Sequence, residues 1–386
     1  MVFVTFGIIA GPAGLGLLDV GMGEGVVRVL ARATLVLVLF TDAIRIDLTR
    51  LRKQLDLPGR LLGLGLPLTV VAGTFFGLWL LPGFGLWEAA LTAAILTPTD
   101  AALGRAVVTS PHVPVRIRQA LNVESGLNDG LMLPLITVLL ALAAVGVDIE
   151  TPGHWVGFAA AQLGFGVLTG ALVGFGGGRL IHFFADKGWV DGVFRQLATL
   201  AVGVGTFAVA EVVGGNGFVA AFVAGLAFGE AARQQCQGAY DFAEDEGQLL
   251  ALLTFLFFGA ALAGPALDDL TWRIALYALA SLTVVRMVPV AIGLVGFRLK
   301  GPTIAYLGWF GPRGLASILF GLFVLEKAAL PAADDIILVM TWTVLASVVF
   351  HGATSYPLSG RYGSWFKKHG RPEMAEAVEV ETMPTR

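Results

Sequence analysis

The sequence predicts an all-α polytopic membrane protein of about twelve transmembrane helices, and three observations lead to this fold class. Hydrophobic residues make up 56% of the 386 residues and charged residues only 14%, whereas soluble domains carry about 25% charged residues. About twelve apolar segments are long enough to cross the hydrocarbon core, which takes about 20 residues. The 51 glycines are typical of membrane helices whose backbones approach closely. A water-soluble α/β protein would match the aliphatic content but not the scarcity of charge.

Composition also excludes several other classes of site and partner. The single cysteine, Cys236, excludes an intramolecular disulfide, and no Cys/His spacing fits a structural zinc site. The net charge of −3 is spread thinly and indicates no nucleic-acid partner. The first apolar run lacks a basic flank, so it is interpreted as a membrane span and not as a cleaved signal.

The distribution of basic residues predicts the orientation of the spans. The predicted spans lie near residues 2–18, 26–44, 61–82, 85–108, 118–146, 155–180, 195–213, 216–230, 247–264, 272–296, 302–326 and 336–357. With these spans, most of the 25 basic residues fall on connections that lie on the same side as both termini. Basic connections face the cytoplasm. The sequence therefore predicts an inner-membrane protein with a cytoplasmic C-terminus.

Two pairs of segments suggest an internal inverted repeat. "VTFGIIAG" (Val4–Gly11) resembles "FVAAFVAG" (Phe218–Gly225), and "VLVLFTDAI" (Val36–Ile44) resembles "TFLFFGAAL" (Thr254–Leu262). An odd number of predicted spans separates the members of each pair, so equivalent segments run in opposite directions, as in many transporters.

The repeat predicts two interrupted helices at corresponding positions. "LTPTDAA" (Leu96–Ala102) and "GWFGPRGLAS" (Gly308–Ser317) each contain a proline in mid-span with a charge shortly after it. Proline removes a backbone hydrogen bond and breaks the helix. Freed polar groups at that depth are tolerated only against protein or a water-filled cavity. Such a pair indicates the midplane site of a transporter.

The segment "NVESGLNDGLMLPL" places four polar side chains on one apolar helix. Residues four apart share a face, which gives one stripe with Glu124 and Asn128 and another, about 100° away, with Ser125 and Asp129. A carboxylate in the membrane is costly unless it meets a cation or is protonated. Asp129 is therefore predicted to hold either one proton or one small cation.

Asp100 and Thr99 supply further oxygen atoms at the first interruption. Their side chains and the loosened carbonyls beside Pro98 are the hard ligands that alkali cations prefer. The alternative interpretation is that Asp100 caps the second half of its own helix.

The remaining mid-span charges have more than one interpretation. Arg313 needs a buried acid, and Glu124 is the first choice, because an unpaired buried charge is strongly destabilising. Asp42 is either an interfacial charge or part of the site, and Arg286 serves a helix end or a lipid headgroup, with a functional role as the alternative. The histidines are placed in loops, near span ends or in the tail, so pH sensitivity is assigned to carboxylates.

Three segments carry a resemblance to a known family. "TPTDAA" (Thr97–Ala102), "ESGLNDG" (Glu124–Gly130) and "GPRGLAS" (Gly311–Ser317) resemble the signature segments of the monovalent cation:proton antiporters. The Asn128–Asp129 pair resembles the prokaryotic type of the sodium/proton exchanger branch, in which exchange is electroneutral. The likeness extends to about Leu358, and the chain opens on what resembles the family's second helix.

The resemblance implies an architecture and a set of roles. It implies a dimerisation domain and a six-helix core with two crossed discontinuous helices, in a transmembrane domain at 1–358 with repeats at roughly 1–150 and 155–358. The resemblance also implies a homodimer in the lipid bilayer and a short cytoplasmic tail at 359–386. Na⁺ would be bound by Asp129, Asp100, Thr99 and Ser125, with Asp42 as a further acidic ligand. Glu124, Asn128 and Arg313 would form a structural link in the core.

The predicted function is electroneutral exchange of Na⁺ or Li⁺ for H⁺ by alternating access, without a cofactor and without enzymatic activity. A K⁺/H⁺ or mixed-cation antiporter of the same fold is the alternative. More distant alternatives are an intramembrane aspartyl protease that uses Asp100 and Asp129, and a passive channel or sensor derived from a transporter.

Overall fold

The structure is a computed structural model, and it describes residues 1–18, 25–53, 55–100, 103–144, 152–190, 192–232, 237–327, 330, 332–371, 374–378 and 380. These residues form helices and short helical turns, with no strand among them. The helices are α1 (Val2–Ala10), α2 (Gly25–Ile44), α3 (Leu48–Lys53), α4 (Asp56–Arg60), α5 (Leu66–Leu80), α6 (Leu86–Ile95), α7 (Arg105–Val108), α8 (Val115–Ala144), α9 (Pro152–Asp186), α10 (Gly192–Val212), α11 (Gly217–Ala232), α12 (Gln237–Phe257), α13 (Trp272–Leu282), α14 (Val284–Gly293), α15 (Gly301–Trp309), α16 (Leu315–Lys327) and α17 (Ala333–His369).

Six of the described helical segments are long and apolar enough to cross a membrane. They are Asp56–Leu80, Val115–Ala143, Ala160–Asp186, Gly192–Val212, Trp272–Gly293 and Ala333–His369. Shorter apolar helices cover Leu86–Ile95, Gly217–Ala232, Gly247–Ala263 and Leu315–Leu325. Each apolar segment found in the sequence overlaps at least one helix, and the prediction of an all-helical, multi-span protein is confirmed.

Both predicted interruptions occur in the structure. The helix α6 ends at Ile95 and α7 begins at Arg105, while α15 ends at Trp309 and α16 begins at Leu315. Pro98 and Pro312 lie in these gaps, where the missing N–H prevents the preceding helix from continuing.

Glycines let α11 pack directly on the backbone of α2. A Cβ on Gly225 would lie 2.3 Å from the carbonyl oxygen of Phe40, and one on Gly229 would lie 2.4 Å from that of Ile44. On its other side, α11 packs along α9. This close packing holds the end of α2, including Asp42, against the centre of the molecule.

The faces of α9 and α10 are the most exposed of the long helices, and they are apolar. Leu172 on α9 is 65% exposed and Phe194 on α10 is 74% exposed. Apolar surface of this extent is suited to lipid or to another protein chain and not to water.

The last helix continues past residue 358, where the sequence analysis placed the start of the tail, and ends at His369. The expected end of the first repeat, near residue 150, lies outside the described residues.

Candidate functional site

The two interrupted helices meet at their gaps and are joined by hydrogen bonds. The backbone N–H of Asp100 donates to the carbonyl of Pro312 at 2.8 Å. The N–H of Leu315 donates to Oδ2 of Asp100 at 2.8 Å, and Nη1 of Arg313 donates to the carbonyl of Thr97 at 2.8 Å. Each gap therefore supplies the polar partners of the other.

We call the region where the two gaps meet the junction. The charges at the junction match the helix ends that they contact. Asp100 lies at the N-terminus of α16, where unpaired N–H groups and the positive end of the helix dipole favour an anion. Arg313 lies just beyond the C-terminus of α6, where a cation is favoured. Asp100 is a cap, as the alternative interpretation proposed, but the helix that it caps belongs to the second interrupted segment.

The polar stripes of α8 face the first gap. The hydroxyl of Ser125 donates to the carbonyl of Thr99 at 2.6 Å, and Nδ2 of Asn128 donates to Oγ1 of Thr99 at 2.7 Å. Asp129 lies one helical turn after Ser125 and is buried, as are Thr99 and Asp100. The structure thus brings Thr99, Ser125 and Asn128 into direct contact.

Glu124 forms a buried ion pair with Arg286 of α14. The distances are 2.5 Å from Nη1 to Oε1 and 2.8 Å from Nη2 to Oε2, which is the paired geometry of a strong arginine–carboxylate contact. Both side chains are 1% exposed. The predicted pairing of Glu124 with Arg313 is therefore wrong. Arg286 does lie at a helix end, in the first turn of α14, but its guanidinium contacts Glu124 and not a lipid headgroup.

Arg313 is held by backbone and hydroxyl groups. Its guanidinium donates to the carbonyl of Thr97, and its backbone N–H donates to Oγ of Ser347 on α17 at 2.6 Å. Within the described part of the chain, its Nε and Nη2 have no hydrogen-bond acceptor, although the residue is fully buried. Its positive charge is thus only partly compensated by direct contacts.

His351 is a functional candidate that the sequence analysis did not select. It is buried in α17, with Nε2 2.9 Å from the carbonyl of Trp309 and Nδ1 3.2 Å from Oγ of Ser347. With its proton on Nε2, the imidazole donates to Trp309 and accepts at Nδ1 from the Ser347 hydroxyl; the Ser347 carbonyl lies 3.1 Å from the same Nδ1. His351 therefore supports the last carbonyl of α15.

Among the described residues, the buried charged side chains around the junction carry one negative charge in excess when all of them are ionised. Three carboxylates (Asp100, Glu124 and Asp129) face two guanidinium groups (Arg286 and Arg313), and all five are at most 4% exposed. One proton or one monovalent cation would neutralise this set. Such a balance suits a site whose occupant is a single positive charge.

Asp42 lies apart from the hydrogen bonds around Thr99, in a cavity of about 190 Å³. Arg45 and Arg105 also line this cavity, and Leu103 and Leu315 form its inner wall. Because Leu315 donates to Asp100, the cavity extends from Asp42 to the edge of the junction.

The comparisons with known proteins agree with these features. A family model described as "Sodium/hydrogen exchanger, transmembrane" matches residues 1–359. The chain belongs to the sodium/hydrogen exchanger family. Members of this family are cation/proton antiporters and not enzymes, which removes the aspartyl-protease alternative.

Two curated relatives and one solved structure are similar to this family member. The K(+)/H(+) antiporter NhaP of Alkalimonas amylolytica is 27% identical over 364 residues, covering 93% of this chain and 61% of its own. The Na(+)/H(+) antiporter NhaG of Bacillus atrophaeus is 24% identical, covering 79% of this chain and 58% of its own. The chain thus spans about 60% of the length of these relatives. The sodium proton antiporter MjNhaP1 of Methanocaldococcus jannaschii, solved at pH 8, has a TM-score of 0.75 at 21% identity, covering 94% of this chain and 92% of that one.

Thr99, Ser125 and Asn128, which the sequence predicted for the site and its core, contact one another, whereas some supporting residues were not predicted. Arg286 was visible as a mid-span charge, which was a signal for a buried role. Ser317 donates to the carbonyl of Ile95 at 2.9 Å, but no signal in the sequence distinguished Ser317 or Ser347 from other small helical residues.

Proposed function

We propose that this chain is a secondary active transporter that exchanges Na⁺ or Li⁺ for H⁺ by electroneutral alternating access. The observation that carries the proposal is the single excess negative charge among the buried groups at the junction. Bound to one proton or one monovalent cation, this set has the same net charge. One-for-one exchange then moves no net charge, whereas each transported charge would change the energy by about 2.3 kcal/mol per 100 mV.

Asp129 is the proposed carrier of either ion. Glu124 is engaged in its ion pair with Arg286, and the Asp100 carboxylate accepts a backbone hydrogen bond at the start of α16, so both already have structural partners. Oxygen atoms of Asp100, Thr99 and Ser125 would complete the cation's coordination, since each oxygen keeps lone pairs beyond those used in hydrogen bonds. Asp42 would attract the cation into the adjoining cavity. No cofactor is needed, because Na⁺ and H⁺ are the transported species.

The finer architecture belongs to the same proposal. We infer twelve spans in two inverted repeats, with the interrupted helices crossing in a core domain beside a dimerisation domain. The reciprocal capping by Asp100 and Arg313 supports the repeat, because the two charges occupy corresponding positions. The exposed apolar faces of α9 and α10 support contact with lipid or with a second copy in a homodimer. The basic connections support an inner-membrane location and a cytoplasmic C-terminal tail, and the family match to residues 1–359 supports a transmembrane domain at 1–358.

A K⁺/H⁺ or mixed-cation antiporter is the second candidate. It is favoured by the likeness to the K(+)/H(+) antiporter NhaP over 93% of the chain. The same charge balance serves both cations, since Na⁺ and K⁺ differ in size and not in charge. Selectivity depends on how closely the oxygen atoms can approach the cation.

Gradient collapse in reconstituted vesicles tests the proposal. The purified protein is placed in liposomes with an imposed pH gradient, and Na⁺, Li⁺ or K⁺ is added while internal pH and membrane potential are recorded. Na⁺ and Li⁺ should dissipate the gradient without generating a potential, and Asp129→Asn should abolish the response. Asp335→Asn, which removes an exposed acid at the start of α17, serves as the control.

Each other outcome has a definite meaning. If K⁺ alone collapses the gradient, the second candidate is correct. A response accompanied by a potential would exclude electroneutral exchange, and cation flux without proton movement would identify a channel. Full activity in Asp129→Asn would remove the carrier role from that residue.

A further inference from the structure

A second cavity lies where α17 ends, and it shares no lining residue with the cavity beside Asp42. Its volume is about 730 Å³, within the range of about 300–1,000 Å³ that is typical of ligand pockets. We call it the basic cavity and define it by Phe297, Arg298, Lys300, Trp365, His369 and Arg371. The first three come from the connection between α14 and α15, and the others from the end of α17 and the segment after it.

Within the described part of the chain, the positive charge of the basic cavity has no ion-pair partner. Arg298, Lys300 and Arg371 point to no carboxylate among the described residues, and none of them forms an ion pair there. The acid Glu376 is 1% exposed, and it contacts the backbone of the cavity wall and not the charged group of Lys300. Its Oε1 accepts from the backbone N–H of Lys300 at 2.7 Å and from the hydroxyl of Thr303 at 2.9 Å. The cavity therefore favours an anion.

The wall formed by the α14–α15 connection is held in place. The bond from Lys300 to Glu376 fixes one end of this connection. At the other end, Arg60 donates to the carbonyl of Val295 at 2.9 Å, and its guanidinium lies 5.6 Å from the ring centre of Phe297. Arg298 lies between them in the left-handed region with φ 57°, a conformation that its neighbours must stabilise.

The opposite wall is also ordered by contacts. The rings of Trp365 and His369 stack with centres 5.8 Å apart, and Nδ1 of His369 lies 3.0 Å from the carbonyl of Trp365. The N–H of Arg371 donates to the sulfur of Met374 at 3.2 Å, and Arg116 donates to the carbonyl of Ala375. Basic residues often end a helix simply to complement its dipole. Here, however, Arg298 and Lys300 also reach the cavity from the α14–α15 connection, and the dipole of α17 does not explain their presence.

The surroundings identify the class of anion. Arginine and lysine bind phosphate, arginine through paired hydrogen bonds. Tryptophan is enriched at the boundary between hydrocarbon and water, and Trp365 and Phe297 are both half-buried at the rim of the apolar helices. Basic pockets between membrane helices are suited to phospholipid headgroups. We propose that the basic cavity binds the phosphate headgroup of an anionic phospholipid.

The test compares lipid-induced stabilisation of matched variants of the full chain in detergent. The midpoint of thermal unfolding is measured while phosphatidylglycerol, phosphatidylcholine or inorganic phosphate is added. The site variant is Lys300→Gln with Arg371→Gln. The control is Lys367→Gln with Lys368→Gln, which removes the same charge from exposed positions of α17 that do not line the cavity.

Phosphatidylglycerol should stabilise the unmodified protein and the control more than phosphatidylcholine does. In the site variant its apparent affinity should fall by about tenfold or more, because each cation near an anionic headgroup contributes about 1 kcal/mol. An equal loss in both variants would show only general surface attraction and overturn the proposal. If inorganic phosphate stabilises the protein as strongly as phosphatidylglycerol does, the ligand is a soluble phosphate and the proposal is overturned. Equal stabilisation by phosphatidylglycerol and phosphatidylcholine would also overturn the proposal.

A second variant protects the test against misfolding. If the site variant unfolds earlier than the unmodified protein without lipid, Arg298→Asn replaces it, because asparagine tolerates the left-handed conformation of this position. The same loss of preference for phosphatidylglycerol is expected, and retention of the full preference in Arg298→Asn would contradict the proposal.

Discussion

The Asp100 carboxylate caps a helix that begins 215 residues later in the chain, through a 2.8 Å hydrogen bond from the N–H of Leu315. Arg313 returns the contact by donating to Thr97 at the end of the first helix half. The two interrupted helices thus depend on each other for polar partners. A change on one side of the junction should therefore disturb both.

Gly314→Ala should disrupt this junction. A Cβ at position 314 would lie 2.2 Å from Oδ2 of Asp100, so the carboxylate must leave the N-terminus of α16. Overpacking of this kind costs about 1–3 kcal/mol, and the lost cap adds about 1 kcal/mol. We expect a lower midpoint of thermal unfolding and loss of most cation-driven proton flux in liposomes.

Gly360→Ala on α17 is the control for this substitution, because a Cβ there meets no atom within 4 Å. It should unfold at the same temperature as the unmodified protein or slightly above it. Normal stability and flux in Gly314→Ala would mean that the contact between Asp100 and Leu315 is not needed.

The ion pair between Glu124 and Arg286 should behave as a unit. Glu124→Gln or Arg286→Met alone leaves one charge without its partner in the interior, which costs about 3–5 kcal/mol. The double variant removes both charges and should be more stable than either single variant. Unfolding measured for all four proteins gives the coupling energy directly. Losses that simply add would show that the two side chains contribute independently.

Features of the site could be predicted where they are set by neighbouring residues in the chain, and could not be predicted where they depend on packing between distant helices. Pro98 and Pro312 each remove a backbone donor and are followed within two residues by a charge, so these gaps were predictable from the sequence, whereas Pro134 and Pro357 lie inside continuous helices. The four-residue spacing that sets Ser125 above Asp129 is likewise a local property of a helix. The choice between Arg286 and Arg313 as the partner of Glu124 was not local, because both are mid-span arginines and only packing determines which one reaches α8. The same holds for the capping of α16 by Asp100.

His351→Phe should weaken the end of α15. The substitution keeps an aromatic ring, which stacks near Trp309 with centres 5.0 Å apart, but it removes the donor to the Trp309 carbonyl. The Trp309 carbonyl keeps the hydrogen bond from the N–H of Gly311 at 2.8 Å, so the loss is that of one hydrogen bond, about 0.5–1.5 kcal/mol. We expect that loss in unfolding free energy, with His351→Gln recovering part of it because its amide can donate. His369→Phe, at an exposed position, should change stability little, and equal effects of the two phenylalanine variants would contradict this role.

Asp42→Asn should raise the cation concentration needed for half-maximal flux without abolishing transport. Asp42 lies in the cavity that adjoins the junction and outside the hydrogen bonds around Thr99. The attraction of one charge for a cation a few ångströms away is about 1–4 kcal/mol in partly hydrated surroundings, which corresponds to at least a several-fold change in KM. Loss of all flux at saturating cation would instead make Asp42 an essential ligand.

Protons and cations should compete for Asp129, and this competition gives the exchange its pH dependence. A single carboxylate that holds either ion binds the cation only when it is deprotonated, so protons act as competitive inhibitors on the acidic side of its titration. In that range the KM for Na⁺ should rise about tenfold for each unit by which pH falls, because each unit changes the deprotonated fraction tenfold. At saturating Na⁺ the maximal rate should change far less than KM. Initial rates measured in liposomes over a series of pH values and Na⁺ concentrations distinguish this behaviour from regulation at a separate site. A KM that stays constant while the maximal rate collapses at low pH would place the proton elsewhere than on the cation-binding carboxylate.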